Sequence, residues 1–498
     1  MNGTMRMVLI LLPLLAQISS QKPMPPSGCP LFQCTTDGSN RITADGPLVT
    51  TTTFPLPTTQ RLLFARTDAT FHSLSHLGCV SNSVNVVCGP QRRQSKSNRS
   101  TNNVLSSLDS TGNVTCQLDV GPALNKPRNS PTMPIMDASS SFFWNDAAHI
   151  LLGDAKGDVL WKNTFDDAVV TGDFYPGTIT SGTPEVIVIA MKTGFVFSYN
   201  TQGIPVAGIH LANTPTAPNA SHVPVAPPIA VNDRVFIVAQ AIGSPQRGRI
   251  FAYDVRDVAV NRMALVWYVE IPRTASTGAI KTMDLPGATM EPGTVVGNDL
   301  VCAGGATQLL IAYNVTKAQT DTDVLIKTVD WKGNAFPKWT ALTLPSDIVL
   351  FADQNRTGVW AGSQKEGDYL YHIDVKSGVV DRALDLKEML LQQGNRARGG
   401  TQRGNRHRAR PVLLTSRLIG FECGDSNDSC VVVATKDDVV VLNLSGKSKI
   451  EWMWKIPLDE TVTGQIAILV GGEGQNNSTG KRNVVVVRTE VGVYGLTL

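Results

Sequence analysis

A pair of hydrophobic strands recurs along this chain, and it constrains the fold more than any other feature. Each copy has an apolar strand that ends in Tyr or Leu, a polar turn, and a second strand that often carries Trp. Clear copies are GRIFAYDVRDVAVNRMALVWYVEIP (248–272), QLLIAYNVTKAQTDTDVLIKTVDW (308–331), DYLYHIDVKSGVVDRALDL (368–386) and DVVVLNLSGKSKIEWMWKIP (438–457). One such unit cannot bury its hydrophobic face alone, so repetition at about 45–70 residues predicts a radial β-architecture.

The composition supports many short strands joined by turns. Apolar residues make up 42% of the 498-residue chain and charged residues only 17%, with 43 Gly and 29 Pro. That mixture is typical of neither long helices nor disorder, and the best helical candidate is DLKEMLLQQ (385–393). The net charge of +3 is too balanced to indicate a nucleic-acid partner.

Units built around the strand pair divide most of the chain. They fall at roughly 60–120, 131–172, 173–213, 224–272, 286–332, 340–387, 410–457 and 461–498, spacings that suit the blades of a ring. They predict an all-β, eight-bladed β-propeller, with seven blades as the alternative because the first two units are degenerate. The last unit lacks its outer strand, and the strand–turn–strand pattern at 31–48 matches the missing piece. Pairing N-terminal strands into the last blade would remove an exposed sheet edge.

Several copies of the repeat resemble a known family. GDAKGDVLWKN (153–163), AYDVRD with LVWYVEIP (252–272) and VLNLSGKSKIEWMWK (441–455) resemble the repeat of the quinoprotein alcohol-dehydrogenase-like β-propellers. The unit at 171–203 resembles instead an FG-GAP repeat of integrin-type propellers. The resemblance covers about 31–498 and implies that Trp161, Trp267 and Trp454 dock onto neighbouring blades.

The resemblance also implies a place for a cofactor. Enzymes of the quinoprotein group hold a pyrroloquinoline quinone and Ca²⁺ in the central channel, beneath an adjacent Cys-Cys pair. This chain has no adjacent cysteines, and its FG-GAP-like unit lacks a DxDxDG calcium loop. TTDGSNRITADG (35–46) has too few oxygens at regular spacing. We therefore predict no cofactor and no metal site, with Ca²⁺ or the quinone as the alternatives.

The N-terminus indicates secretion. Arg6 precedes an apolar run at Val8–Leu15, and Ile18-Ser19-Ser20 offers a cleavage site before Gln21. The run is shorter than the roughly 20 residues that a membrane span needs. We expect a signal peptide over 1–20, a linker over 21–30, and a single propeller domain over 31–498 with a basic insertion at 395–410. The mature protein is expected to be secreted and extracellular, with no transmembrane segment.

Acceptor triplets for N-glycosylation fit an extracellular protein. They are Asn98, Asn113, Asn219, Asn314, Asn355, Asn427, Asn443, Asn476 and Asn477. All eight cysteines follow the predicted cleavage point, which permits disulfides. Short loops predict the pairs Cys29–Cys34, Cys79–Cys88 and Cys423–Cys430, and leave Cys116 and Cys302 over. A buried free thiol is the simpler expectation for Cys302.

The seven histidines are candidates for general bases or metal ligands. The histidines His149, His210, His222 and His372 are scattered, and a general base among them remains an open alternative. His72 and His76 would lie about 13 Å apart on a strand, too far to share a metal ion.

The segment NRARGGTQRGNRHRAR (395–410) contains six arginines and no acid. It admits three interpretations: a solvated surface loop, an anion-binding arm, or a proprotein-processing site. The predicted polyanion-binding residues are Arg396, Arg398, Arg403, Arg406, Arg408 and Arg410. A second basic patch, QRRQSKSNR (91–99), adds to the polyanion interpretation.

The leading hypothesis is therefore a secreted glycoprotein that acts as an extracellular binding or scaffold propeller. Its expected partners are extracellular glycans or acidic matrix proteins. The alternative is a secreted oxidoreductase or hydrolase with its site in the central channel, because one propeller fold supports many chemistries.

Overall fold

The structure of the protein is a computed structural model. The structure describes residues 41–45, 62–67, 79–81, 86–93, 102–122, 135–136, 142–145, 149–154, 156, 158–164, 177–180, 185–211, 222–224, 227–231, 234–242, 248–255, 263–270, 294–296, 299–303, 309–314, 327–330, 348–353, 357–363, 368–374, 380–397, 412–415, 418–423, 428–444, 448–462, 466–469 and 483–498.

The described residues form short strands and a helix. Two strands come first, β1 (Arg41–Asp45) and β2 (Leu62–Arg66). Sheet 1 contains β3 (Cys79–Ser81), β4 (Val86–Arg93), β5 (Asn102–Leu108) and β6 (Val114–Pro122). Sheet 2 contains β7 (Ile135–Met136), β8 (Phe142–Asn145), β9 (His149–Gly153) and β10 (Val159–Thr164). Sheet 3 contains β11 (Thr178–Ile179), β12 (Val186–Ala190), β13 (Phe195–Asn200) and β14 (Pro205–His210). Sheet 4 contains β15 (His222–Pro224), β16 (Ile229–Val231), β17 (Arg234–Ala241), β18 (Gly248–Asp254) and β19 (Ala264–Glu270).

The second half of the chain repeats this plan. Sheet 5 contains β20 (Thr294–Val296), β21 (Asp299–Ala303), β22 (Leu309–Asn314) and β23 (Lys327–Asp330). Sheet 6 contains β24 (Ile348–Ala352), β25 (Gly358–Ser363), β26 (Tyr369–Asp374) and β27 (Val380–Asp385), followed by helix α1 (Leu386–Ala397). Sheet 7 contains β28 (Ile419–Cys423), β29 (Asp428–Ala434), β30 (Asp438–Asn443) and β31 (Lys449–Lys455). Sheet 8 contains β32 (Ala467–Leu469), β33 (Val484–Arg488) and β34 (Val493–Thr497).

Strands that follow one another in sequence pair antiparallel within each sheet. Each sheet overlaps one of the eight units predicted from the sequence. The helix predicted at 385–393 is confirmed as α1. The sequence therefore predicted the positions of the repeated sheets and of helix α1 correctly.

Strands in the middle of a sheet are buried on both faces. Every residue of Val186–Ala190, Asp438–Asn443 and Val484–Arg488 is buried. Strands covered on both faces are mostly apolar instead of alternating with polar residues, although the buried residues here include Asp438, Asn443 and Arg488. This explains runs such as VVVV in β33.

Trp side chains join neighbouring sheets. Trp161 of sheet 2 packs on Tyr199 of sheet 3, with ring centroids 5.5 Å apart, and Trp454 of sheet 7 packs on Tyr494 of sheet 8 at 5.3 Å. Both Trp residues therefore have the structural role implied by the repeat. Trp267 lies in β19, but its side chain is outside the described part of the structure.

The turn before the outermost strand is fixed by an Asp or Asn at the end of the third strand. Asp109 Oδ1 accepts hydrogen bonds from the N–H groups of Thr111 and Asn113, at 2.8 and 2.9 Å. Asp154 and Asn200 accept from the residues two and four positions later in the same way. Side chains of this type close such turns without a partner elsewhere in the fold. The Tyr-Asp and Leu-Asn pairs of the repeat thus encode a turn.

A strand from the N-terminal region completes sheet 8. β2 pairs antiparallel with β34, placing Phe64 opposite Gly495 and Arg66 opposite Val493. The sequence predicted such a completion but assigned it to 31–48. The strand within that segment is β1, and it pairs with β28 of sheet 7 instead. The strand that completes sheet 8 therefore comes from residues 62–66, which belong to the first predicted unit at 60–120.

The two ends of the series of sheets are in contact. Arg66 Nε donates to the carbonyl of Gly112 at 2.7 Å, and the hydroxyl of Ser81 donates to the carbonyl of Ile468 at 2.6 Å. The Phe64 ring covers the turn glycine of sheet 1, where a Cβ on Gly112 would lie 2.4 Å from the ring. Gly112 has a φ of 80°, so a larger residue would also be strained there. Sheet 8 is thus joined to sheet 1 as Trp161 joins sheet 2 to sheet 3.

Replacing Phe64 by Ala should open this contact. Phe64 is 9% exposed, and removing a buried Phe costs about 3–5 kcal/mol of the free energy of unfolding. Leu62→Ala is the matched control in the same strand, because Leu62 is 40% exposed and should change stability by less than about 0.5 kcal/mol. Urea unfolding followed by tryptophan fluorescence measures both. Equal stabilities for the two variants would contradict a closing role for Phe64.

Candidate functional site

One residue, Asp368, contacts the chain on both sides of the basic segment, at the start of helix α1 and at Val412. Asp368 lies just before β26, and its carbonyl accepts a hydrogen bond from the N–H of Leu386, the first residue of α1, at 2.8 Å. Its Oδ2 lies 3.2 Å from Lys387 Nζ. Its Oδ1 accepts from the N–H of Val412 at 2.7 Å, where the chain returns after the arginines. The start of α1 and the return of the chain are therefore held together at Asp368.

Helix α1 is well specified by its sequence. Asp385 Oδ1 accepts from the N–H of Glu388 at 2.7 Å, which satisfies one of the free donors at the helix start. Gln392 Nε2 donates to Glu388 Oε1 at 3.1 Å, one turn further on. Leu386 and Met389 pack on the cluster between sheets 6 and 7. The helix is thus a rigid base for the segment that follows it.

Of the six predicted polyanion-binding residues, Arg396 lies in the last turn of α1. The other five lie outside the described residues: Arg398, Arg403, Arg406, Arg408 and Arg410. Arg92 and Arg93, from the second basic patch, lie at the end of β4.

A cluster of ionisable side chains stands at one end of sheet 6. His372 Nδ1 lies 2.5 Å from Asp381 Oδ1, and its Nε2 lies 3.2 Å from Asp353 Oδ2. Asp353 also accepts from the N–H of Thr357 at 2.9 Å, while its own N–H donates to the carbonyl of Gly358. The imidazole fits closely because Gly358 has no side chain; a Cβ there would lie 2.3 Å from Nε2. The cluster links three strands through one ring.

The two carboxylates favour the charged form of this histidine. Burial lowers the pKa of His372, but the hydrogen bonds from its ring to the Asp353 and Asp381 carboxylates and the negative charges of these carboxylates raise it by more, so the pKa lies above its ordinary value. Burial raises the pKa of Asp353, but hydrogen bonds from His372 and backbone groups leave it below the ordinary value. His372 therefore links its strand to Asp353 and Asp381 through hydrogen bonds that favour the charged form of the ring.

The other histidines are placed differently. His222 is 2% exposed and meets the ring of Phe251 edge-on at 5.5 Å. His210 meets Phe195 edge-on at 4.3 Å. His149 begins β9, but its side chain is not described, and His72 and His76 lie outside the described residues.

A second polar cluster stabilises the end of sheet 8. The Glu460 carboxylate accepts hydrogen bonds from the hydroxyls of Thr489, at 2.5 Å, and Tyr494, at 2.7 and 2.9 Å. Burial and the neighbouring Glu460 raise the pKa of Tyr494, so its hydroxyl remains a donor. Because Trp454 packs on this Tyr, the cluster orients a sheet contact.

Among the described residues, no group of three His, Cys, Asp or Glu side chains is arranged to hold a metal ion. No helix of this part of the chain is long and apolar enough to span a membrane.

The cysteines are partly placed. Cys79 and Cys430 are each disulfide-bonded. Cys79 lies directly opposite Cys88 in the β3–β4 ladder, the arrangement that the predicted pair needs. Cys423 and Cys430 lie on adjoining strands with an offset, since Cys430 is opposite Phe421. The pairings stay predictions, and Cys29 and Cys34 lie outside the described residues.

The two leftover cysteines lie in strands. Cys116 is a buried free thiol whose pKa is raised by burial. Cys302 lies in β21, opposite Ile311. The state of the Cys302 thiol remains a sequence-based expectation.

Two of the predicted glycosylation sites have described side chains. Asn113 is exposed; its Nδ2 donates to the Thr111 hydroxyl at 2.8 Å. Asn443 is 6% exposed, and its Nδ2 donates to Glu451 at 3.1 Å. A glycan on Asn443 would displace this contact, so the folded structure disfavours that site.

The remaining acceptor asparagines are only partly placed. Asn314 ends β22, the same turn position as Asp109 and Asn443. The side chains of the following fall outside the description: Asn98, Asn219, Asn314, Asn355, Asn427, Asn476 and Asn477.

Sequence reasoning missed the anchor and the histidine link. Asp368 and His372 stand in a quoted copy of the repeat, yet their partners Val412, Asp353 and Asp381 lie 9 to 44 positions away. The sequence DYLYHID places His372 among apolar strand residues. Because a buried charge needs a partner, this pattern could have predicted that His372 is bound to acidic side chains.

His372 should make stability depend on pH. Because its pKa is raised in the fold, its contribution is fully present below the unfolded value of about 6.5 and is lost as the pH rises through the folded value. The melting temperature of the natural protein should therefore exceed that of His372→Gln most at about pH 5.5, and the gap should narrow above about pH 7.

Asp381→Asn is the control for this effect. Asn retains the shape of the aspartate but removes one charge that raises the pKa of His372. In an Asp381→Asn background, the difference in melting temperature between the proteins with and without His372→Gln should therefore begin to narrow at lower pH. A gap independent of pH from 5.5 to 9 would contradict the ionic link.

Comparison with known proteins identifies the fold. No protein-family model and no curated protein sequence matches the chain. A europium-containing methanol dehydrogenase is similar in structure, with a TM-score of 0.54 and 10% identity over 93% of this chain and 90% of that one. The Dos1 propeller is similar with a TM-score of 0.52 and 10% identity, over 88% of this chain and 94% of that one. At such low identity the likeness concerns architecture alone, and it shows that the chain has a β-propeller fold.

Proposed function

We propose that the protein is a secreted glycoprotein that serves as an extracellular binding or scaffold propeller. Its contact with polyanionic glycans or acidic matrix proteins is the arginine-rich segment at 395–410. The observation that carries this proposal is that Asp368 holds both the start of α1, at Leu386, and the return of the chain, at Val412, so that the stretch containing the segment is tethered at these two points.

Anchoring matters because a flexible arm loses conformational freedom when it binds. Fixing both ends reduces the number of arrangements that the segment must give up, which improves affinity without a new contact. Arginine is suited to the task because its planar fork donates two parallel hydrogen bonds to a sulfate or carboxylate. Six such groups on a rigid base favour a ligand with closely spaced negative charges.

We further assign the eight sheets to eight blades of one closed ring, with seven blades as the alternative count. Contacts of β3 with both β7 and β32 support the ring, since they join the first sheet to the second and to the last. The Trp–Tyr contacts between sheets support a quinoprotein-like repeat. Sheet 3 is the proposed FG-GAP-like unit.

Heparin chromatography in a salt gradient tests the polyanion contact. Replacing the six arginines by Gln should lower the salt needed for elution and weaken affinity by at least about tenfold, since one charged hydrogen bond contributes about 1.5 kcal/mol.

A control variant removes six charges elsewhere. It replaces exposed lysines by Gln: Lys156, Lys162, Lys192, Lys436, Lys449 and Lys455. If only net charge matters, both variants elute alike, and the proposal is wrong. Asp368→Asn, which keeps every arginine but weakens the anchor, should fall between the natural protein and the arginine variant.

Glycopeptide mapping of the protein recovered from the culture medium tests whether it is a secreted glycoprotein. Asn113 should carry a glycan because it is exposed at a turn, whereas Asn443 should be unmodified because it is 6% exposed and bonded to Glu451. Asn113→Gln should remove one glycan mass, and Asn443→Gln should leave the glycan mass unchanged. A glycan on Asn443, or none on a secreted Asn113, would contradict this assignment.

A further inference from the structure

Strand direction shows from which side of its sheet each basic stretch leaves. In sheets 1 and 6 consecutive strands pair antiparallel, so the second and the fourth strand end on the same side, which we call the upper side. Arg92 and Arg93 end β4, the second strand of sheet 1. Helix α1 directly follows β27, the fourth strand of sheet 6. Both stretches, 91–99 and 395–410, therefore leave from the upper side.

Sheet 7 is oriented like sheet 6, and sheet 1 like sheet 8. The third strand ends and the fourth begins on the opposite, lower side, so the turn between them is a lower turn. Arg382 Nη1 of β27 donates to the carbonyl of Leu444, in the lower turn of sheet 7, at 3.0 Å. The Phe64 ring of β2 covers Gly112, in the lower turn of sheet 1. Both contacts run from the third residue of a fourth strand to the lower turn of the next sheet.

Sheets 7 and 8 are oriented alike as well. Trp454 lies near the end of β31, on the upper side of sheet 7, and Tyr494 lies near the start of β34, on the upper side of sheet 8. Their ring centroids are 5.3 Å apart, so the two upper sides adjoin. Sheets 6, 7, 8 and 1 therefore present their upper sides on one face of the propeller, which we call the upper face.

The lower turns carry a different charge. At the end of the third strand, or directly after it, an Asp or Asn stands in sheets 1 to 7: Asp109, Asp154, Asn200, Asp254, Asn314, Asp374 and Asn443. Carboxylates repel a polyanion, whereas arginine and lysine attract it. The two basic stretches contain no acid. Charge therefore favours the upper stretches over the lower turns as the place where a polyanion binds.

We propose that one sulfated glycan chain lies across the upper face and contacts both basic stretches at once. This inference rests on the proposed function, because it takes the segment at 395–410 as the first contact. It adds a second contact at Arg92 and Arg93. Arginine suits both places because its planar fork donates two parallel hydrogen bonds to a sulfate.

The distance between the two contacts makes binding depend on the length of the glycan. Sheets 7 and 8 lie between the stretches, so three steps from sheet to sheet separate them. Stacked sheets are about 10 Å apart, which gives a span of about 30 Å. Once a longer chain is bound at one stretch, its contact with the other is intramolecular and strengthens binding. A shorter chain gains nothing from the second stretch.

Isothermal titration calorimetry with two size-fractionated heparin fragments tests this arrangement. A fragment about 50 Å long can span the two stretches, and one about 15 Å long cannot. The long fragment should bind the natural chain at least about tenfold more tightly than the short one. All proteins compared carry Asn98→Gln, so that a glycan within the stretch 91–99 does not affect the measurement.

Two variants remove the second contact. Arg92→Gln with Arg93→Gln should weaken binding of the long fragment at least about tenfold, the effect of one charged hydrogen bond, and leave the tightest binding of the short fragment unchanged. Lys96→Gln with Arg99→Gln changes the connection between β4 and β5 instead of the strand, and it should weaken the long fragment in the same way. Unchanged urea midpoints show that the variants remain folded.

The matched control removes two exposed charges from the lower side. Lys156 lies in the lower turn of sheet 2, and Lys449 begins β31. Lys156→Gln with Lys449→Gln should leave the advantage of the long fragment intact. An equal loss in this control would mean that net charge alone decides, and it would overturn the proposal.

The proposal is also wrong if the natural chain binds both fragments equally tightly, or if neither upper variant weakens binding of the long fragment. The polyanion contact itself is tested separately by the variant without the six arginines of 395–410. If that variant loses heparin binding while Arg92→Gln with Arg93→Gln does not, the proposed function stands and the bridging glycan is excluded.

Discussion

The structure depends on covering both faces of every sheet. A row of packed sheets leaves one apolar face bare at each end, and burial of that surface is the main favourable term in folding. Here the last sheet packs on the first, and one cluster combines Phe64, Cys79 and Leu108 with residues of sheets 7 and 8. The closing contact is made by β2, more than 400 residues before its partner β34. Sheets 1 and 8 thereby cover each other's otherwise exposed faces.

That closure also decides where function can lie. Several carboxylates of the described sheets have structural partners: Asp109 and Asp154 close turns, and Asp353 binds His372. Side chains committed in this way stabilise the fold and cannot reorganise around a ligand without cost. Within the described part of the chain, departures from the repeat include the excursion held at Asp368 and the strand β1 on the edge of β28.

Much of the fold could be predicted because it is encoded locally. Tyr199-Asn200 and the Trp161 that packs on Tyr199 recur as sequence patterns, since each sheet solves the same packing problem. The exchange of the two N-terminal strands could not be predicted in this way. Segments 31–48 and 62–66 are both short and strand-like. Long-range contacts decide which of them completes sheet 8: the Phe64 ring packs on Gly112, and Arg66 donates to the carbonyl of Gly112. Local propensity is silent about such partners.

The contacts that hold the candidate site are also long-range, and local sequence patterns did not predict them. A basic segment in a sequence has no defined position, because six charges repel one another and favour a solvated chain. The fixed point is supplied by an acid: Asp368 accepts the N–H groups of both Leu386, through its carbonyl, and Val412, through its carboxylate. Its negative charge also faces Lys387 at 3.2 Å. The main-chain N–H groups of Leu386 and Val412 therefore hold the chain at Asp368 on either side of the segment.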